Sequence, residues 1–235
     1  MKLVSLALAA AALGVGASAA VAAPMCAVPG HLDEPRIEGP SAREAQRLLP
    51  IGGYTLSVIW LAQSCRRPGG SLDCQARAGK GGFVLHGLWP DGPGKDWPQW
   101  CESSAPLPAA TLRAHYCTTP SPQLAQHEWT KHGTCMAGYD PDRYFAQSRR
   151  LFDQLRMPNL RALSYKRPTA IAVQRAFASA NPGMRPDMLR LNVSRDGWLE
   201  EVWVCLSKNF AWKRCPATAG GAKPGAPIKI WRGRS

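Results

Sequence analysis

Eight cysteines, Cys26, Cys65, Cys74, Cys101, Cys117, Cys135, Cys205 and Cys215, are spread along 235 residues, and no two of them form a C-x-x-C pair. Zinc ribbons and thioredoxin-type redox centres are built on such pairs, so an even, dispersed set reads instead as up to four disulfides made in an oxidising compartment. Eight cysteines allow 105 pairings, and only Cys65/Cys74 and Cys205/Cys215 are close enough in sequence to suggest local loops. The amino terminus agrees with export. Lys2, a mostly apolar run from Leu3 to Val15 and small residues from Ala17 to Ala23 have the build of a secretory signal peptide over residues 1–23, cut near Ala20–Ala23. The protein is therefore expected to be secreted or periplasmic. Cys26 lacks the sequence context of a lipid-attachment site, and no interior stretch has the apolar length of a membrane helix, so no membrane anchor is expected.

A chain that is 45% hydrophobic has material for one sizeable core, and a formal charge of +13 favours anionic partners, nucleic acid or an acidic surface. Residues 24–50 read as an irregular Pro-rich lead-in with a short helix-like run at Ala42–Leu49, and 51–235 as a single domain ending in a basic Gly/Pro-rich tail. Alternation in Tyr54–Leu61 predicts a first strand, and the short β-prone run Phe83–Trp89 a buried central strand ended by Pro90-Asp91-Gly92-Pro93. Ser121-Pro122 and Asp140-Pro141 are helix starts, Gly133 is placed to stop the first of these helices, and Thr169–Ala180 is a third candidate. Leu189–Ser194 and Trp198–Leu206 flank Arg195-Asp196-Gly197 as an antiparallel hairpin, with one last strand at Ile228–Trp231. Strands, then helices, then strands indicate an α+β fold: a central antiparallel sheet packed with several helices and stapled by disulfides.

The segment His127–Cys135 carries the densest chemistry. At about 100° per residue, His127, Lys131, Glu128 and His132 fall at roughly 0°, 40°, 100° and 140°, a helix side too polar for core. The five-residue histidine spacing differs from H-E-x-x-H and swings the two rings apart, which speaks against a zinc site. A solvated charged face is the plain alternative. His86, between Val84 and Leu88 at alternate positions, reads by itself as a structural core histidine. Taken together, three histidines, a lysine and a glutamate in a basic exported chain suit RNA cleavage. There the 2′-hydroxyl is the nucleophile, one group removes its proton, another protonates the departing 5′-oxygen, and cations steady the phosphorane. No metal or cofactor is required, and an acid and base of similar intrinsic pKa predict a bell-shaped pH dependence.

Phe83-Val84-Leu85-His86-Gly87-Leu88-Trp89-Pro90 and His127-Glu128-Trp129-Thr130-Lys131-His132-Gly133-Thr134-Cys135 resemble the two active-site segments of the ribonuclease T2 family. The resemblance extends from Tyr54–Trp60 through Asp140–Phe145 to Leu199–Cys205 and Cys215-Pro216, and is closest in style to periplasmic bacterial members. It implies a ribonuclease T2-like fold and an endoribonuclease of low base specificity. Single-stranded RNA would be cut to a 2′,3′-cyclic phosphate and then hydrolysed to a 3′-phosphate. It further implies His132 as general base, His86 as general acid, His127 as phosphate ligand, and Glu128 and Lys131 as transition-state stabilisers. Trp89 would stack on the base upstream of the cut, with a core tryptophan as the other reading; Asp91 would accept from a base or serve as a turn aspartate. The resemblance pairs Cys135 with Cys101 or Cys117. It leaves the lead-in and the tail without counterparts, and Leu124 and Ile59 depart from the family's usual aromatic and amide, so preference at the downstream base should be weak. RNA is the expected partner and a monomer the expected state; an exported cationic RNA-binding protein without catalysis is the alternative.

Overall fold

The computed structural model describes residues 26–66 and 69–233; the expected signal peptide falls outside them. Four strands, β1 (Gly53–Trp60), β2 (Phe83–Asp91), β3 (Leu189–Val193) and β4 (Leu199–Leu206), form one antiparallel sheet in the order β2-β1-β4-β3. Six helices, α1 (Leu61–Ser64), α2 (Ala109–His115), α3 (Pro122–Lys131), α4 (Pro141–Gln154), α5 (Leu160–Ser164) and α6 (Ala170–Ala180), fill the connections. The fold is α+β, as the order of elements predicts.

The sheet is two-sided. One face carries Leu56, Val58, Leu85, Leu88, Leu191, Val202 and Val204 into a core completed by Tyr144 and Phe152 of α4 and Phe177 of α6, and this burial is the main stabilising term. The other face carries Thr55, Glu201 and Trp203 toward the helix that bears the histidines. Among the described residues no helix is long and apolar enough to cross a membrane.

The helix starts behave as read: Ser121 Oγ accepts from Leu124 N at 3.1 Å, and an Asp140 carboxylate oxygen accepts from Arg143 N at 2.7 Å. Several expectations are corrected. β2 lies at the edge of the sheet, and it runs on through Pro90 and Asp91. An edge tolerates Pro90, which has no N–H to give, and the far side of β2 is covered where Leu85 N donates to Thr118 O at 2.9 Å. Ala42–Leu49 forms no helix, because its backbone is drawn into pairing between Arg47 and Gln99. Ile228–Trp231 forms no strand, only a bridge from Lys229 to Trp198. Helices α1, α2 and α5 are short and escape a periodicity reading.

All eight cysteines pair, as Cys26–Cys117, Cys65–Cys74, Cys101–Cys135 and Cys205–Cys215. The two local loops are as sequence proximity suggests, and Cys135 takes Cys101. Cys26–Cys117 ties the lead-in to the body of the protein.

Candidate active site

Strand β2 contains a bulge whose effect decides what this face can do. Ser57 pairs with Gly87 and Val58 with Leu85, so His86 is the unpaired extra residue. A bulge reverses the side-chain alternation beyond it. Phe83, Leu85 and Leu88 therefore all point into the core, while His86, Trp89 and Asp91 share the opposite face and line one cavity of about 460 Å³. Of the alternate positions that make His86 look structural in sequence, Leu88 lies beyond the bulge on the core face, while Val84 keeps the face of His86 and packs into a separate small cluster with Leu72, Tyr116 and Ile59.

Helix α3 brings the other groups. Buried Gln126 accepts from Leu107 N at 2.7 Å and donates to Thr130 Oγ1 at 2.9 Å. Tyr144 Oη donates to Leu88 O at 3.1 Å, which ties α4 to β2 directly below the site. Disulfide Cys101–Cys135 closes the turn after the helix. Close approach of α3 to β2 requires Gly87, since a Cβ there would lie 1.8 Å from Glu128 Oε2.

The centre of the site is Glu128, 1% exposed. Its Oε2 accepts from Trp89 Nε1 at 2.7 Å, and its Oε1 lies 3.2 Å from His86 Nε2. His86 Nδ1 is 2.9 Å from Glu201 Oε1, and Glu201 is itself held by Trp203 Nε1 at 2.6 Å. His132, 6% exposed, stacks on the Trp89 ring at 5.5 Å between centroids. The expectation of a helix face too polar for core is thus corrected: Glu128 and His132 are buried, each beside partners that the strands supply.

Burial and charge pull these groups to opposite states. For His86, burial opposes protonation, but the two flanking carboxylates overcome it and raise its pKa to about 10. For His132, burial disfavours the charged ring, and Lys131, His127 and His86 reinforce this against the pull of Glu128, bringing it to about 3. Glu128 is buried too, yet the adjacent imidazoles bring its carboxyl down to about 2. Near neutral pH the site therefore holds a protonated histidine and a neutral one on either side of a carboxylate.

His127 and Lys131 meet two acidic residues of the lead-in: Glu38 Oε2 is 2.5 Å from His127 Nδ1, and Glu44 Oε1 is 2.8 Å from Lys131 Nζ. The bond to Lys131 outweighs partial burial and lowers the Glu44 pKa. Gln123 at the start of α3 holds this strap, accepting from Arg36 N at 2.9 Å and donating to Arg36 O and to Glu38. Asp91 accepts from Thr55 Oγ1 at 3.0 Å, and burial raises its pKa.

The five predicted catalytic positions, with Trp89 and Asp91, thus converge on one cavity. Sequence reading missed Glu201, Glu38 and Glu44. For Glu201 a signal existed, the alternation Glu201, Trp203, Cys205 on one strand face; for the lead-in carboxylates there was none.

The geometric premise about the helix histidines is also corrected. His132 is the C-cap of α3, with φ −114° and ψ −45°, and its ring does not continue the ideal spiral. One donor atom each from His127, Glu128 and His132 lies within 4.8 Å of the others, so these three could hold a cation. Two of them are engaged in part, Glu128 by Trp89 through Oε2 and by the charge of His86 beside Oε1, and His127 by Glu38, whereas His132 Nδ1 is buried without a hydrogen-bond partner among the described residues.

A family model for the ribonuclease T2 family matches residues 51–215. The chain belongs to the ribonuclease T2 family. Among curated relatives, a probable ribonuclease of Haemophilus influenzae is 33% identical over 124 residues, 47% of this chain and 45% of that protein, so the chain spans less than half the length of that relative. A ribonuclease of Aeromonas hydrophila is 29% identical over 161 residues, 66% of this chain and 71% of that protein. Among solved structures, trichomaglin, described as a novel S-like ribonuclease, superposes with a TM-score of 0.58 at 18% identity, covering 77% of this chain and 98% of that one; this likeness establishes the T2 fold.

Proposed function

We propose that the protein is an exported, monomeric endoribonuclease that cleaves single-stranded RNA with low base specificity and without a metal. The observation that carries this reading is the arrangement of two histidines around one buried carboxylate: His86 lies between Glu128 and Glu201, which raise its pKa, and His132 is buried against Trp89, which lowers its own. Pairs of titratable groups pushed apart in this way divide the work of acid and base between them.

In this mechanism His132 takes the proton of the 2′-hydroxyl, and the 2′-oxygen bonds to phosphorus. The P–O5′ bond breaks, and the leaving oxygen takes the proton from His86 Nε2, the nitrogen turned toward Glu128, while Glu201 holds the other. The products are a 2′,3′-cyclic phosphate and a 5′-hydroxyl end. Water then opens the ring to a 3′-phosphate with the two histidines in exchanged roles. His127 and Lys131 hold the phosphoryl oxygens, and Glu128 keeps both histidines in place. Trp89 offers an aromatic face to the upstream base and Asp91 an acceptor. A divalent cation at His127, Glu128 and His132 would lie against protonated His86 and Lys131, which favours the metal-free route.

The test is cleavage of single-stranded RNA by His86→Ala and His132→Ala variants, with retained fold checked by circular dichroism. Each should lose at least about 1,000-fold in kcat while RNA binding persists. Cleavage at the wild-type rate in both would overturn the roles given to His86 and His132, and RNA binding without cleavage by the wild-type protein would leave an exported cationic RNA-binding protein as the better reading.

A further inference from the structure

The cavity does not end at Asp91. It continues past the base-binding side to Arg190 of β3 and Lys213, both half-buried. Arg190 is held by backbone carbonyls alone, its guanidinium donating to Leu189 O at 3.0 Å, Cys215 O at 3.4 Å and Asp187 O at 3.5 Å. Lys213 Nζ donates to Gly52 O at 3.3 Å. Among the described residues neither cation is in an ion pair with a carboxylate, although Asp187 pairs with Arg185 and Arg214 close by. Of the acidic residues lining this part of the cavity, Asp91 is engaged by Thr55 and its carboxyl is raised by burial, and Asp96 is exposed. Arg190, held by carbonyls alone, and Lys213, opposed only through space by the Thr55-bound Asp91 carboxyl, form a site for an anion at the end of the cavity.

Direction along RNA follows from the histidines. The nucleotide whose 2′-hydroxyl attacks lies against His132, and His132 stacks on Trp89. The Trp89–Asp91 side is therefore upstream of the cut, and the same cavity is lined there by Lys213, bonded to Gly52 beside the Gly53–Asp91 pair, and by Arg190, opposite Trp203 on β4. We propose that Arg190 and Lys213 form a second phosphate subsite, which takes the backbone phosphate on the 5′ side of the nucleotide held by Trp89. The proposal rests on the ribonuclease reading. It makes the enzyme prefer substrates with at least one phosphate upstream of the scissile one, whatever the base.

The probe is a 2′-deoxyadenosine dinucleotide, which lacks the nucleophile and stays intact, with and without a 5′-phosphate. For the wild-type protein the 5′-phosphate should tighten binding about tenfold, as a charge-assisted contact does, and steepen the salt dependence by about 0.7 in log–log slope. The Arg190→Gln/Lys213→Gln variant should lose this gain while keeping any gain from a 3′-phosphate, which does not reach the subsite. Lys213→Gln alone leaves the three carbonyl contacts of Arg190 intact and should lose part of it. An equal 5′-phosphate gain in wild type and double variant, or none in wild type, overturns the subsite. Cleavage of the ribo-dinucleotide by wild type reports separately on the ribonuclease reading.

Discussion

Glu201 Oε1 lies 2.9 Å from Nδ1 of His86, and this contact fixes which of the ring nitrogens can give up a proton. With Nδ1 committed to Glu201, the transferable proton sits on Nε2. Glu201→Gln keeps a hydrogen-bonding group and removes a charge that holds His86 protonated. The alkaline limb of kcat/KM should move down by about one to two pH units with little change in the acid limb. An unmoved alkaline limb would show that Glu201 only packs.

The wild-type pH profile follows from the same shifts. In the proposed mechanism cleavage needs His132 deprotonated, so activity should rise as pH climbs through a value near 3, and needs His86 protonated, so it should fall as pH climbs through about 10. Similar intrinsic pKa values predict a narrow bell; the surroundings of the two rings separate the limbs into a broad plateau. Initial rates on a short oligoribonucleotide from pH 3 to 11 measure it, and limbs within two units of each other would contradict the assigned environments.

Gly87→Ala places a methyl where Glu128 Oε2 now sits. Glu128 must retreat and its bond to Trp89 must break, so kcat/KM should fall at least about 100-fold and stability by about 1–3 kcal/mol, read by steady-state rates and thermal melting. Activity near wild type would mean that α3 can draw back without cost.

Glu38 and Glu44 occupy His127 and Lys131, and under the proposed mechanism they compete there with phosphate. Glu44→Gln should lower KM for RNA about two- to fivefold, the size of a partly exposed ion pair, with kcat nearly unchanged. A rise in KM would instead make Glu44 a group that positions Lys131.

Some of this site is legible in the sequence because it depends on local rules. The caps at Ser121 and Asp140, the hairpin around Gly197 and the helical placement of His127, Glu128 and Lys131 need only neighbours, whereas His132, the C-cap of α3, leaves the spiral that its spacing predicts. His86 is not legible in the same way. A one-residue bulge reverses the face on which every later β2 side chain appears, and alternation without that knowledge assigns His86 to the core. The burial of Glu128 and His132 depends on a strand forty residues earlier, and Glu201 reaches His86 from 115 residues away. The lead-in looked irregular, and it is. What its composition does not disclose is that Cys26–Cys117 and Gln123 set it across the helix so that Glu38 and Glu44 meet His127 and Lys131.

The central claim, that paired histidines cleave RNA through its own 2′-hydroxyl without a metal, is tested most directly by one digest. A defined oligoribonucleotide and its DNA counterpart are incubated with the protein in excess EDTA, and the product ends are identified by mass. The account predicts unreduced cleavage of the RNA to 2′,3′-cyclic phosphate and 5′-hydroxyl ends, with the DNA intact. Loss of cleavage on chelation, or 5′-phosphate ends from either strand, would contradict it.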